Sequence, residues 1–465
     1  MFREETEGLC PECLRRVPAE ITEETGRIWL TSRCPRHGDS RALLASNAAE
    51  YLRFRTYAVD RSAGGGCCGP GTDCSDGPPT CVLLLEITPA CNLSCPTCYA
   101  DAVHGGTEHM SLAEATRRLD LFFQVQSRLD VLMLSGGEPT VHPQLEELLE
   151  LALSYPVDRV LINTNGVLIP RLSPLLKKHG DRVELYLSFA TLKPERQAHF
   201  YGKDLLKQKL RAIEAAKEAG VFVTLVPTVE RGVNDDEIGD LYAFALSHSN
   251  INGVTYQPVM DNGRYEHGYD PAERLTLTGV LERLEAQSNS ALILKDFVGL
   301  PCSHPDCCVL TYGILDPTRA TLTPLPRHLD VARYLDLFSD KISFSGLIES
   351  ALRRVWSDTV SLRGGQTLRD LAMLYARGGI KDLIPLRNDP KAIGARVFRV
   401  VVKPFMDATT YDCKRTDQCC TKLLDETGTP VSFCEYNVFR RGRLPAAAQE
   451  SDIPGRKFLP LTLMK

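Results

Sequence analysis

Several things are scarce in this chain of 465 residues, and each scarcity narrows what it can be. Positive charge is not in surplus. The 54 Lys and Arg face 59 Asp and Glu, a net charge of −5, which argues against a general nucleic-acid binder. No run approaches the ~20 apolar residues of a membrane span. The opening Met1-Phe-Arg-Glu-Glu is acidic and has no apolar stretch of the kind a secretory signal needs. A cytoplasmic location is the expectation, with contact at a membrane surface if the substrate is a lipid. Cysteine itself is missing for roughly 200 residues between Cys98 and Cys302, where the fold does its ordinary packing.

Outside that gap cysteine is abundant. The 17 cysteines fall as three in residues 10–34, seven in 67–98, three in 302–308 and four in 413–434. An odd count, with no signal peptide, fits a disulfide scaffold poorly and fits metal binding well. Hydrophobic residues make up 43% of the chain, enough for large cores, and the length suggests more than one domain.

The spacing of the first set is that of a metal knuckle. Cys10-Pro-Glu-Cys13 precedes Cys34-Pro-Arg-His37, and the residues between read as a short hairpin. So small a module cannot bury much core and needs its metal to fold. The ligands suit iron or zinc and do not choose between them. Residues 1–45 are assigned to this knuckle. Residues 46–81 read as a Gly- and Cys-rich linker whose Cys67, Cys68, Cys74 and Cys81 are candidate cluster ligands.

From residue 82 the pattern is regular. Strands are expected at 82–88, 131–134, 159–163, 183–189, 221–226 and 253–257. Helices are expected at 112–124, 144–153, 205–219, 235–247 and 277–287. Six strands alternating with helices imply an α/β fold with a parallel sheet and right-handed crossovers, spanning residues 82–300. Residues 301–465 read as a helical and Cys-rich region.

Directly after the first strand comes Cys91-Asn-Leu-Ser-Cys95-Pro-Thr-Cys98-Tyr99. A full 4Fe–4S site takes four cysteines, so three thiolates leave one iron open to a small molecule. Ser135-Gly136-Gly137-Glu138-Pro139 follows the second strand. Its glycines let backbone approach a ligand, and its carboxylate can accept from an ammonium. Together these motifs resemble the radical S-adenosylmethionine (radical SAM) superfamily. The resemblance implies a partial (β/α)6 barrel, a 4Fe–4S cluster on Cys91, Cys95 and Cys98, and SAM chelated to its open iron. It implies that an electron from the cluster cleaves SAM to a 5′-deoxyadenosyl radical, which removes a substrate hydrogen atom. It also places Gly136, Gly137, Glu138 and Pro139 by the SAM amino group, Asn165 and Ser188 by its ribose and carboxylate, and Tyr99 by its adenine.

An ordered series downstream narrows the resemblance, including Gly263-Arg264, Cys302, Cys307, Cys413, Cys419 and Cys434. With the knuckle, it is similar to the subgroup of tetraether lipid synthase and the radical SAM C-methylases of the methanopterin ring. That resemblance implies auxiliary 4Fe–4S clusters, two by cysteine count. One grouping takes Cys67, Cys68, Cys74 and Cys81, and draws the other from Cys302, Cys307, Cys413, Cys419 and Cys434. Sequence does not choose within Cys307-Cys308 or Cys419-Cys420. The expected function is C–C bond formation on an unactivated sp3 carbon of a lipid-like substrate. C-methylation of a small or cofactor-like substrate is the alternative, and a non-enzymatic multi-cluster electron carrier is the contrasting class. Expected partners are SAM, the substrate and an electron donor such as a ferredoxin or flavodoxin, with no nucleic acid and no membrane-spanning segment.

Overall fold

The computed structural model describes residues 2–57, 80–300, 302–328 and, apart from 374, 378, 387 and 388, residues 373–441. The candidate ligands Cys67, Cys68 and Cys74 lie outside the described residues.

The N-terminal module is a four-stranded antiparallel sheet in the order β1 (Arg3–Leu9), β2 (Arg16–Glu24), β3 (Arg27–Cys34), β4 (Gly38–Ala45). The hairpin between β2 and β3 turns on Thr25 and Gly26, both at positive φ (51° and 75°). A two-residue turn of that hand matches the strand twist. Helix α1 (Ala48–Arg55) follows, capped by the Asn47 side chain, so part of the expected linker is helical.

Next come the six strands the pattern calls for. They are β5 (Val82–Thr88), β6 (Leu129–Gly136), β7 (Val157–Thr164), β8 (Val183–Ser188), β9 (Phe222–Val226) and β10 (Ile251–Pro258). All neighbours in the order β5-β6-β7-β8-β9-β10, starting from β5 and β6, pair in parallel. Every residue of β6 is buried, as befits a strand covered on both faces. Helices α2 (Leu112–Val125), α3 (Leu145–Ser154), α4 (Ser173–His179), α5 (Pro194–Tyr201), α6 (Leu206–Ala219), α7 (Ile238–Ser247) and α8 (Leu277–Gln287) fill the connections. Gly202 and Gly220 end α5 and α6 in the left-handed conformation.

The sheet does not stop with β10. Strand β11 (Val309–Leu315) pairs antiparallel with β12 (Val397–Val402), and β12 pairs in parallel with β10. At the opposite edge, β13 (Thr421–Leu424) pairs in parallel with β5. The C-terminal region, expected to be helical, thus lends strands to both edges of the barrel sheet. Its Cys-bearing segments are carried where those edges approach each other. Among the described residues no helix is long and apolar enough to cross a membrane.

Candidate active site and metal centres

The ribbon centre is built locally. Cys10 and Cys13 sit in the β1–β2 turn, and Cys34 and His37 at the β3–β4 turn. Their ligand atoms all lie within 4.8 Å of one another. His37 Nδ1 is 3.4 Å from Cys10 Sγ and 3.5 Å from Cys34 Sγ. A tetrahedral ion with metal–sulfur and metal–nitrogen bonds of about 2.3 and 2.0–2.1 Å spaces S and N about 3.6 Å apart. The donors therefore fit one four-coordinate ion. Burial raises the Cys34 thiol, but backbone N–H groups of Arg36 and His37 outweigh it and hold the thiol below the usual range.

The barrel mouth carries the second set. Cys91, Cys95 and Cys98 follow β5, at the C-terminal strand ends where barrel sites form. Burial pushes the Cys91 thiol up to about 11 and the Cys95 thiol up to about 12. Three thiols on one loop, with no fourth beside them in the loop, are the donor set of an iron–sulfur cluster that keeps one iron open. The loop is held from above by Gly263, at φ +63°, where a Cβ would sit 2.5 Å from the Cys98 and Tyr99 carbonyl oxygens.

A cavity of about 160 Å³ adjoins these thiols, and Gly136, Gly137, Glu138, Asn165, Ser188 and Tyr99 all line it. The two glycines are there for proximity. A Cβ on Gly136 (φ +129°) would meet the Thr88 carbonyl oxygen at 2.1 Å, and one on Gly137 the Ala90 oxygen at 2.3 Å. Pro139 opens a short 3-10 turn after Glu138. Glu138 is 1% exposed, and much of its capacity is spent inside the protein. Oε1 accepts from Thr140 N–H (3.1 Å), Thr140 Oγ1 (2.6 Å) and Thr164 Oγ1 (2.7 Å). Oε2 accepts the Asn165 N–H (2.6 Å) and keeps a lone pair for a ligand. Glu138 thus ties the ends of β6 and β7 together as well as facing the cavity. Asn165 Nδ2 donates to Asn92 Oδ1 in the cysteine loop (2.7 Å), and Ser188 Oγ lies 3.1 Å from the Tyr201 hydroxyl. Tyr99 packs on Phe433, with its hydroxyl 3.3 Å from Ser135 Oγ and accepting from Asn163 Nδ2 (3.0 Å).

One residue at this site escaped the sequence reading. Lys209 on α6 is fully buried; its Nζ donates to the carbonyls of Ser188 (2.6 Å) and Asn165 (3.2 Å) and lies 3.8 Å over the Tyr201 ring. Burial lowers its pKa to about 7, against the pull of Cys95 and Glu138. A signal was present: Lys209 occupies the apolar stripe of α6 with Ala212, Ile213 and Ala216.

A further cavity, about 130 Å³, occupies the barrel lumen and shares Tyr99, Asn163, Gln257 and Phe405 with the first. Its floor is an ion network. Glu184 pairs with Arg399 and with Arg159 (3.2 Å); burial raises its carboxyl, but the two guanidinium groups hold it below the usual range.

The remaining thiols regroup. Cys81 was expected with Cys67, Cys68 and Cys74, but its Sγ lies within 4.8 Å of both Cys302 and Cys420. The reason is topology. Cys81 and Cys420 open the parallel neighbours β5 and β13, and Cys302 lies on the approach to β11 at the other edge. The Cys302 thiol donates to Cys420 Sγ at 3.5 Å. Cys308 belongs to the same buried cluster. We refer to these as the seam thiols. Cys420 was left open within its pair by the sequence, and its backbone carbonyl also accepts the Cys81 N–H (2.9 Å). Cys307, Cys419 and Cys434 form another neighbourhood, in which each of the latter two feels the charge of Cys307. Arg415 Nε donates to Cys307 Sγ at 3.3 Å. Cys413 instead has Arg16 and Glu7 of the N-terminal sheet among its charged neighbours.

A parallel barrel with three thiols and a Gly-Gly-Glu-Pro turn around one cavity defines an iron–sulfur enzyme with a small-molecule co-substrate at the cluster. Comparison with known proteins agrees. The radical SAM superfamily matches residues 85–245, and the HMPTM N-terminal zinc ribbon domain matches residues 2–46. A 7,8-dihydro-6-hydroxymethylpterin dimethyltransferase of Methanocaldococcus jannaschii is 28% identical over 483 residues, covering 95% of this chain and 94% of that protein. A probable GTP 3′,8-cyclase of Pyrococcus abyssi is 35% identical over 172 residues, covering 36% of this chain and 54% of the cyclase. The chain thus spans about half the length of that cyclase. Streptococcus suis SuiB bound to its precursor peptide SuiA is 14% identical, covering 61% of this chain and 69% of that one, with a TM-score of 0.38. Residues 85–245 form a radical SAM domain, and the protein is a radical SAM enzyme.

Proposed function

We propose that the enzyme C-methylates a small, pterin-like heterocycle. The observation that carries this is the full-length match to the pterin dimethyltransferase, which takes in the ribbon and the C-terminal cysteines as well as the barrel. The cyclase match covers about a third of the chain, so it speaks only for part of the molecule. Coupling of lipid chains, the first expectation from sequence, finds no such support, and the methylation alternative replaces it.

When bound, the cluster supplies the electron that cleaves SAM and so delivers the radical that activates a substrate carbon. The residues of this chain would do the rest. Cys91, Cys95 and Cys98 hold the cluster. Gly136 and Gly137 let the backbone reach the SAM amino group, with the spare lone pair of Glu138 beside it. Lys209 holds the Ser188 and Asn165 backbone in place along the cavity wall. Apolar lumen walls exclude water from the reacting carbon. The ribbon donors Cys10, Cys13, Cys34 and His37 suit a structural zinc ion. The seam thiols, and Cys307 with Cys419 and Cys434, are assigned to auxiliary iron–sulfur clusters.

The test is anaerobic incubation of reconstituted enzyme with SAM, a low-potential reductant, 7,8-dihydro-6-hydroxymethylpterin and a one-carbon donor for the methyl group, further SAM in one arm and a reduced folate-type carrier in another, read by mass spectrometry. The expected result is a pterin heavier by one methylene unit per methyl gained, with 5′-deoxyadenosine formed alongside. If 5′-deoxyadenosine forms without any change in the pterin, the substrate reading is wrong while the SAM chemistry stands.

A further inference from the structure

Lys403 has no role in the site described so far, yet it occupies a pivotal place. It follows β12, and its backbone N–H donates to the Tyr256 carbonyl at 3.0 Å. Its side chain lines the lumen cavity. Nζ donates to Thr421 Oγ1 at 2.6 Å, and Thr421 directly follows Cys420. On the other flank, the β11–β12 register sets Val309 opposite Val402, so Cys308 stands opposite Lys403. The ammonium is therefore held between two thiol-bearing positions of the seam.

Its charge has no ordinary counterpart. Among the described residues no carboxylate forms an ion pair with Lys403, and its neighbours across the sheet and along the hydrogen bond are the thiol-bearing positions Cys308 and Cys420. A cation withdrawn from water needs an anion near it. Thiolates on a metal supply negative charge at this spot, and more of it when the metal group is reduced.

We propose that Lys403 is the counter-cation of the metal group held by the seam thiols and that it raises the reduction potential of that group. The proposal rests on the assignment of the seam as a metal site. A fixed positive charge beside the group favours the reduced form. The same side chain lines the lumen cavity, so this positive charge borders both.

The experiment is an anaerobic redox titration of the reconstituted full-length protein, followed by EPR. The seam signal is identified as the one lost in Cys81→Ala/Cys302→Ala/Cys420→Ala. If that variant loses no signal, the seam assignment fails, and the role of Lys403 fails with it. Given a seam signal, Lys403→Met is expected to disfavour reduction at least about tenfold, a potential lower by about 59 mV for one electron. Lys403→Arg is expected to stay near the wild type. Thr421→Val, which removes only the hydroxyl that orients Nζ, is expected to give a smaller shift of the same sign. Loss of the seam signal in Lys403→Met but not in Lys403→Arg also supports the proposal. An unchanged potential in Lys403→Met, or equal shifts or equal loss in the Met and Arg variants, overturns it.

Discussion

The ribbon thiols and the seam thiols assemble a metal-ligand set on two different length scales. In the ribbon, Cys10 and His37 are 27 residues apart, and a hairpin and two turns bring them together. In the seam, Cys302 and Cys420 are 118 residues apart and meet only when the two edges of the barrel sheet have formed. Loop-closure entropy makes the longer connection more costly by only roughly 1 kcal/mol, against the 10 kcal/mol or so that a structural metal can contribute. Distance along the chain therefore governs when each set forms, and whether a reader of the sequence can see it, more than how firmly it binds. The ribbon set needs only local turns and a hairpin to bring its ligands together. The seam set reports a completed barrel.

That contrast can be broken experimentally. The largest effect is expected in the ribbon, whose small core gives it little stability of its own. Cys13→Ala should forfeit metal-binding free energy on the order of 10 kcal/mol and unfold β1–β4. Circular dichroism should show the barrel's own unfolding transition little changed. If the barrel melts together with the ribbon, the ribbon is not an independent unit.

The seam should behave in the opposite way. Cys302→Ala is expected to lower the stability of the barrel by several kcal/mol while ribbon metal content stays at the wild-type level. Denaturant unfolding with metal analysis of each fraction checks both halves. An unchanged barrel transition would mean that the seam thiols do not staple the sheet edges.

The SAM cavity combines the two scales, a local loop completed by distant residues, and sharpens the comparison with smaller effects. Gly136→Ala places a Cβ against the Thr88 carbonyl at a backbone conformation that side chains avoid. A loss of about 2–4 kcal/mol in urea unfolding is expected, together with weaker SAM binding. Lys209→Met should leave the cluster loop in place and raise the SAM dissociation constant about tenfold to a hundredfold, the worth of a buried charged hydrogen bond. Equilibrium dialysis under anaerobic conditions measures it; a dissociation constant equal to wild type would remove Lys209 from the SAM site.

Local features were the legible ones. The strands from Val82 to Pro258 carry apolar stretches bounded by turns and helical segments, so their places and their parallel pairing were expected from pattern. Cys91, Cys95 and Cys98 share one loop, and the Gly136-Gly137 turn ends the adjacent strand, so the cavity they line was visible too. What escaped is what depends on closure. Nothing near Cys81 says that its neighbours will be Cys302 and Cys420, because that contact is set by β13 joining β5 and β11 joining β12. The edge strands β11 (VLTYGIL) and β12 (VFRVVV) are themselves apolar, β-branched runs that the helical expectation for this region passed over; what lay hidden was their pairing, because the partners lie far along the chain. Lys209 was hidden differently, since lysine on a helix ordinarily faces water and only its place on the apolar stripe betrays it.

The central claim is that this enzyme activates a carbon of a pterin by hydrogen-atom removal at the SAM cavity. The most direct test uses 7,8-dihydro-6-hydroxymethylpterin deuterated at the carbons open to methylation, with the 5′-deoxyadenosine product examined by mass spectrometry. The account predicts deuterium in the 5′-deoxyadenosine, and none in reactions of Cys91→Ala/Cys95→Ala/Cys98→Ala. Methylated pterin accompanied by unlabelled 5′-deoxyadenosine would contradict it.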